Sequence, residues 1–162
     1  MPHGIQRIPI MKNIGTLNRE DIIQAYQDQN LVINPFDESH LQPTSYDVSV
    51  SQILSDGLFY DFDDLRLEHL QFTNFVIHEY MEFPLDIIGH LCFRTTYRTQ
   101  GLVTELGNIE AGWRGKLVIE VFNASKDSII IHKGDRLATV RFERLSNPVK
   151  KGYEGRFQNF GA

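Results

Sequence analysis

The chain has 162 residues, 41% of them hydrophobic, with a formal net charge of −5 and a single cysteine. That length supports one core and argues against two independent domains, while the lone Cys92 excludes an intrachain disulfide and a cysteine-rich zinc site. The acidic balance speaks against a nucleic-acid partner, and no apolar run reaches the roughly 20 residues of a membrane span or follows MPHGIQR as a signal segment, so a cytoplasmic protein with no membrane partner is expected.

Residues 1–15 show no sustained periodicity and are read as an N-terminal arm. LNREDIIQAYQDQN then places Asn18 as a helix cap with Asp21 three residues on, and spaces Ile22, Ile23, Ala25 and Tyr26 along one face, which predicts a short helix over about 18–29. After LVINPF and the turn-rich FDESHLQPTS, the alternation in YDVSVSQIL predicts a half-buried strand. Short apolar or alternating runs follow at FTNFVIHEYMEF, DIIGHLCFRT, LVTEL, KLVIEVFN, SIIIHK and LATVRFERL, parted by turn signals such as FPLD, NIEAGWRG, NASKDS and HKGD. Many short strands at close spacing predict a mainly β domain, a sandwich, jelly roll or small barrel. Cys92, inside IIGHLCF, is expected to be a buried inert thiol. The tail NPVKKGYEGRFQNFGA, residues 147–162, is basic and aromatic without alternation and is read as a C-terminal arm.

Glu120 interrupts the apolar run LVIEVF. A carboxylate in such a run is either turned to water at a solvated face, the plainer reading of the strand alone, or paired, protonated or functional. Its spacing from Glu110 adds to the second reading. Gly112 and Gly115 suit a turn, and a hairpin folded near residue 115 would set the two carboxylates across from each other, roughly 5–8 Å apart on a shared face. Paired acids of this kind have their proton affinities pushed apart and can divide acid and base roles. Upstream, Arg94, Thr95, Thr96 and Arg98 in FRTTYRTQG offer guanidinium and hydroxyl donors suited to phosphate oxygens, or simply an exposed polar loop. The six histidines show no metal-ligand spacing.

The ordered blocks REDIIQAYQDQNLVINPF with LQPTSYDVSV, FPLDIIGHLCFRTTYRTQG, LGNIEAGWRGKLVIEVFN, KGDRLATVRFERLSNP and GYEGRFQNFGA resemble the superfamily of dCTP deaminases and trimeric dUTPases, from about residue 16 to the C-terminus. Glu120 brings the resemblance closer to the deaminase branch, because dUTPases without deaminase activity carry an apolar residue there. What the resemblance implies is a single domain, a distorted jelly-roll β-sandwich of dUTPase-like type, assembled as a homotrimer with active sites between subunits. A pyrimidine deoxynucleotide would enter the segment around Leu106, Gly107, Asn108 and Ile109, whose main chain reads the base. Glu110 would accept the deoxyribose 3′-hydroxyl and Trp113 would lie under the sugar. Leu106 would help hold the catalytic water through its carbonyl. Thr95 stands for the first serine of the R-S-S block, and Tyr153, Arg156 and Phe160 for tail positions that approach the nucleotide. Mg²⁺ would enter with the triphosphate, and no zinc is implied, since one cysteine cannot supply the ligands of the zinc deaminases. Glu120 would be general base and proton shuttle, a role that calls for a raised pKa in a dry pocket.

The departures bear on chemistry. The arginine that works beside the glutamate in deaminases falls on Thr99, with Arg98 one place earlier, and in a strand Arg98 could substitute only if an irregularity re-aimed it. Glu110 replaces an aspartate, R-S-S has become R-T-T, Thr139 stands where dUTPases carry glutamine, and the glycine-rich tail is reduced. The region between Val50 and Phe72 is shortened, as in compact viral and phage members. The leading expectation is hydrolytic deamination of dCTP to dUTP, with further hydrolysis to dUMP and pyrophosphate as a bifunctional version. Two alternatives stand beside it: a dUTP pyrophosphatase, and a catalytically weakened nucleotide-binding or regulatory protein.

Overall fold

In a computed structural model of the chain, residues 14–104 and 107–162 are described; of the N-terminal arm, residues 1–13 lie outside them. The first strand, β1 (Gly15–Thr16), leads into α1 (Arg19–Gln27), whose exposed first N–H groups are met by a capping box: Asn18 Oδ1 accepts from Asp21 N at 2.9 Å and the Asp21 carboxylate accepts from Asn18 N. Ile22 and Ala25 carry its buried stripe. There follow β2 (Val32–Asn34), a 3₁₀ turn at Glu38–His40, β3 (Leu41–Gln42), β4 (Ser45–Ser55), β5 (Leu58–Asp61), β6 (Asp64–Leu67), β7 (Phe72–Ile77), β8 (Tyr80–Glu82) and β9 (Ile87–Phe93). A single helical turn, α2 (Thr95–Arg98), precedes β10 (Leu102–Val103), β11 (Asn108–Ile109), β12 (Arg114–Gly115), β13 (Val118–Asn123), β14 (Ile129–His132) and β15 (Arg136–Arg144).

The fold is mainly β, a curled antiparallel sheet in the order β10-β13-β7-β4-β15-β9-β11, with β1 paired to β15 and with β3 and β5 paired to β4. A three-stranded sheet, β12-β8-β2, and the pair β14-β6 complete it. Tyr46, Phe75, Phe142, Ile22, Leu31 and Ile77 fill the centre of one core, and each such side chain contributes about 1.5–3 kcal/mol by leaving water. No helix among the described residues is long and apolar enough to cross a membrane.

The centre of the sheet corrects two expectations. The strand in YDVSVSQIL is not half-buried: β4 lies between β15 and β7 and is buried without alternation from Ser45 to Ser51, because both of its faces are covered. Cys92 is only partly buried, on the outward side of a strand whose alternate residues Ile87, Gly89, Leu91 and Phe93 face the core.

Burial of polar groups along β4 is matched by partners. Asp47, 2% exposed, is met by Arg94 and Arg136, each at 3.6 Å, and by Gln42 Nε2 at 3.2 Å. Glu79, also 2% exposed, accepts from Ser49 N at 3.1 Å and from Ser49 Oγ at 2.9 Å, with His40 Nδ1 3.5 Å away. Desolvation outweighs these contacts and holds the Glu79 carboxyl above its ordinary value of 4.5. The folded chain therefore binds the Glu79 proton more tightly than the unfolded chain does. The linked stability is complete below about pH 4.5 and is lost as pH rises through the higher folded value. Urea denaturation across about pH 4 to 8 should show Glu79→Gln gaining on the unaltered chain as pH rises, and a difference that stays flat with pH would contradict this assignment.

Candidate active site

The strand β13 answers the question that Glu120 raises. It pairs with β7 in the register Val118↔Val76, Ile119↔Phe75, Glu120↔Asn74, Val121↔Thr73. Ile119 and Val121 enter the core, so the pleat turns Glu120 the other way. There it borders a cavity of about 340 Å³ lined by Asn108, Ile109, Glu110, Trp113, Lys116 and Tyr153 among others. That volume lies within the usual range of small-molecule sites, about 300–1,000 Å³. Glu120 is exposed in the single chain, and the expectation of a dry setting is corrected here: an apolar strand buries only one face, and the carboxylate occupies the other.

Glu110 borders the same cavity, yet the hairpin expected to bring the two acids together does not form. β11 pairs with β9, β12 with β8 and β13 with β7. The segment from Asn108 to Asn123 thus has three different strand partners, and both carboxylates still line the one cavity.

Gly112 sits in the expected turn, closed by Trp113 N donating to Glu110 O at 3.1 Å, and both glycines also open a contact across the segment. Both have positive φ, +78° and +145°, in the region that favours glycine. A Cβ on Gly112 would stand 2.7 Å from Gly152 Cα, and one on Gly115 2.7 Å from the Phe160 carbonyl oxygen. The C-terminal segment lies in the space so left. Tyr153 N donates to Ala111 O at 2.9 Å, Asn159 N to Arg114 O at 2.9 Å and Lys116 N to Phe160 O at 2.8 Å. Trp113 Nε1 donates to Phe157 O at 3.0 Å, and Gln158 Nε2 to Gly112 O at 2.8 Å. Tyr153, Phe157 and Phe160 thereby become part of the cavity wall, with the Phe160 ring 5.7 Å from that of Phe59 on β5.

The phosphate-type donors stand elsewhere on the chain. Arg94 is held by Asp47 and donates to Arg136 O at 3.3 Å. Thr95, Thr96 and Arg98 are exposed on α2, where Arg98 Nη2 reaches Thr95 Oγ1 at 3.4 Å. This stretch is a helical turn and not a strand, closed by Thr99 Oγ1 donating to Thr95 O at 2.9 Å. Arg98 and Thr99 are consequently about 100° apart around the turn and do not point to opposite faces. Arg94, Thr95, Thr96, Arg98, Gly107 and Arg156 do not line the cavity; Arg156 sits over the Phe157 ring at 5.7 Å. Leu106 lies outside the described residues. Among the described residues no cluster of three or more His, Cys, Asp or Glu converges as a metal site.

The cavity also contains residues that the sequence reading did not single out: Leu54, Asn74, Lys116, Leu117, Val118 and Phe157. Of these, Lys116 carried a usable signal, as a cation in the GWRGK stretch that lies between Glu110 and Glu120. Asn74 reaches the site only through the β7–β13 register.

Three comparisons with known proteins bear on the chain. A family model described as dCTP deaminase-like matches residues 58–145. Curated relatives include the dCTP deaminase of Thermococcus sibiricus, 29% identical over 134 residues, covering 80% of this chain and 86% of the relative. That of Pyrococcus abyssi is 28% identical over 134 residues, with 80% and 87% covered. Among solved structures, the 2′-deoxycytidine 5′-triphosphate deaminase of Agrobacterium tumefaciens superposes with a TM-score of 0.66 at 19% identity, over 83% of this chain. The match spans 49% of that chain, about half its length. A dUTPase of Staphylococcus bacteriophage 80alpha with dUpNHpp gives 0.53 at 19% identity, covering 77% of this chain and 96% of the other. These structural likenesses concern the fold.

Trp113 is the only tryptophan, 7% exposed beneath the C-terminal segment, so its fluorescence reports the tail. Deleting residues 157–162 should shift its emission to the red and raise acrylamide quenching, and Gly115→Ala should do so in part because its Cβ displaces Phe160. An unchanged spectrum in both variants would place the tail elsewhere in solution.

Proposed function

The chain belongs to the dCTP deaminase-like family, and from that membership we propose that it converts dCTP and water to dUTP and ammonia, with Glu120 as general base and proton shuttle. The observation that carries this reading is the convergence of Glu120, Glu110 and Trp113 on one cavity beside the strand that holds Glu120 rigid. The pyrimidine stands at Glu120, the deoxyribose over Trp113, and Glu110 accepts the 3′-hydroxyl. Glu120 takes a proton from water as its oxygen bonds to C4 and delivers that proton to N3. A second transfer, of the C4 hydroxyl proton through Glu120 to the exocyclic nitrogen, lets the C4–N bond break as the C4 carbonyl forms, N3 keeps its hydrogen, and ammonia leaves. A carboxylate is suited to this relay when it lies within hydrogen-bond reach of each atom in turn.

The setting for the reaction is completed from outside the single chain. Two carboxylates against one lysine give the cavity no surplus of positive charge, whereas a triphosphate requires cations and hydroxyl donors. The exposed α2 turn with Thr95, Thr96 and Arg98, next to Arg94, supplies such a set away from the cavity. A homotrimer that brings α2 of one copy to the cavity of another joins the two halves and shields Glu120 from water. Mg²⁺ belongs to the substrate, as the magnesium–nucleotide complex, and Tyr153, Arg156 and Phe160 close over it. The soluble fraction of the cytoplasm is the corresponding location.

The tail on the cavity and the dUTPase-like fold favour a second reading, dUTP hydrolysis to dUMP and pyrophosphate with Glu110 orienting the attacking water. Thr99, in place of the family arginine, motivates a third, nucleotide binding with weak turnover. One assay separates them. Purified protein with dCTP and Mg²⁺ should release ammonia, and Glu120→Gln should lower that rate by about 10²-fold or more. Pyrophosphate release would add the second activity. Unchanged deamination by Glu120→Gln would remove the role given to Glu120, and binding of dCTP and dUTP without turnover would establish the third reading in its place.

A further inference from the structure

Glu120 has a polar neighbour that the proposed mechanism does not use. The strand registers pair Leu54 with Asn74 and Asn74 with Glu120, so one row across β4, β7 and β13 reads Leu54, Asn74, Glu120. All three border the cavity. Side chains directly opposite on antiparallel strands have Cβ atoms about 4.5–5.5 Å apart, which places the Asn74 carboxamide next to the Glu120 carboxylate. The same pleated face carries Phe72, Val118 and Phe122, a setting that asks for an apolar side chain at position 74. Asn74 Oδ1 is nevertheless buried there with no hydrogen-bond partner. An acceptor taken out of water and left unpaired is destabilising, so the folded chain alone gives no return for an amide in this place.

A donor in the cavity would give one. The terminal torsion of an asparagine side chain is broad and roughly two-fold, and a half-turn of the carboxamide exchanges its two ends, bringing Oδ1 out of its buried place toward a ligand beside Glu120. Two acceptors side by side, an amide oxygen and a carboxylate, match a group with two hydrogens to give. The exocyclic amine of cytosine is such a group, with one N–H for each. Uracil presents a carbonyl oxygen at the same position, and both protein groups would face an acceptor with an acceptor. We infer that Asn74 is a specificity-determining residue that, together with Glu120, selects a pyrimidine bearing an amine at C4 over one bearing a carbonyl. The inference rests on the deaminase reading above, and it assigns to one side chain a discrimination between substrate and product that main-chain contacts would otherwise carry alone.

The test compares KM for dCTP with the inhibition constant of dUTP, in the unaltered chain, Asn74→Leu and Asn74→Asp. Leucine keeps the volume and removes the acceptor; aspartate keeps an acceptor of the same length. Asn74→Leu should raise KM for dCTP roughly tenfold, the worth of one hydrogen bond in a site, and leave the dUTP constant level or lower. Asn74→Asp should retain the preference for dCTP. Equal weakening of both nucleotides in Asn74→Leu would show a merely structural role and overturn the inference, as would no change in either. If the unaltered chain releases ammonia from dCTP while the ratio is insensitive to position 74, this inference alone falls. If it releases none, the deaminase reading falls first and takes the inference with it.

Discussion

The register between β13 and β7 is the constraint on which the rest of the molecule depends. A slip of one residue would carry Ile119 and Val121 out of the core and put Glu120 into it. The buried pair Ile119 and Phe75 resists that slip from one side, and the β4–β7 pairing fixes β7 from the other. A carboxylate whose position is set by a sheet interior moves little when a ligand arrives. Catalytic groups benefit from that rigidity, since it removes the need to order them at the moment of reaction.

The second wall of the cavity is built on a different principle. Where β13 is held by side-chain packing, the tail is held by backbone contact with a glycine-opened ribbon: Gly112 and Gly115 let it approach within hydrogen-bond distance of residues 111–116. Such a contact is specific in geometry and modest in buried apolar area. Phe157 is still exposed, and Arg156 and Asn159 face water. Segments held with little buried apolar area lie toward the low-stability end of a fold. The cavity therefore has one wall set by the sheet interior, which carries Glu120, and one wall set by the docked tail.

Legibility in the sequence followed the range of the interactions involved. Glu120 stood out because it broke a six-residue apolar run, and its distance from Glu110 along the chain pointed to a shared pocket. The mainly β architecture was visible in the rhythm of short runs and turn signals. The path between the two acids was not, because β11, β12 and β13 find partners in β9, β8 and β7, and pairings that distant leave no local mark. The α2 turn was hidden for a related reason: four residues are too few to show a helical period. Gly112 and Gly115 were read as turn residues because positive φ is the commoner demand on glycine, whereas here close approach of the tail adds a second one. Asn74 gave no signal at all. In TNFVI it looks like the outward residue of an edge strand, and only its cross-strand neighbour gives it meaning.

Charge supplies the last step. Asp47 is met by two guanidiniums, those of Arg94 and Arg136, and Asp37 also interacts electrostatically with Arg136. Both guanidiniums keep contact with water, and the exposed donors of α2 follow Arg94 directly in the chain. The cavity is the opposite case, with Glu110 and Glu120 against Lys116. The chain thus carries a donor-bearing turn and an acid-lined cavity as two separate surfaces. Rotation of identical copies about a common axis is the ordinary way for one chain to present two different surfaces to itself, and the proposed homotrimer would join these two. Under the proposed function the single chain would hold two separate parts of the site, and the electrostatics of the whole would depend on the assembly.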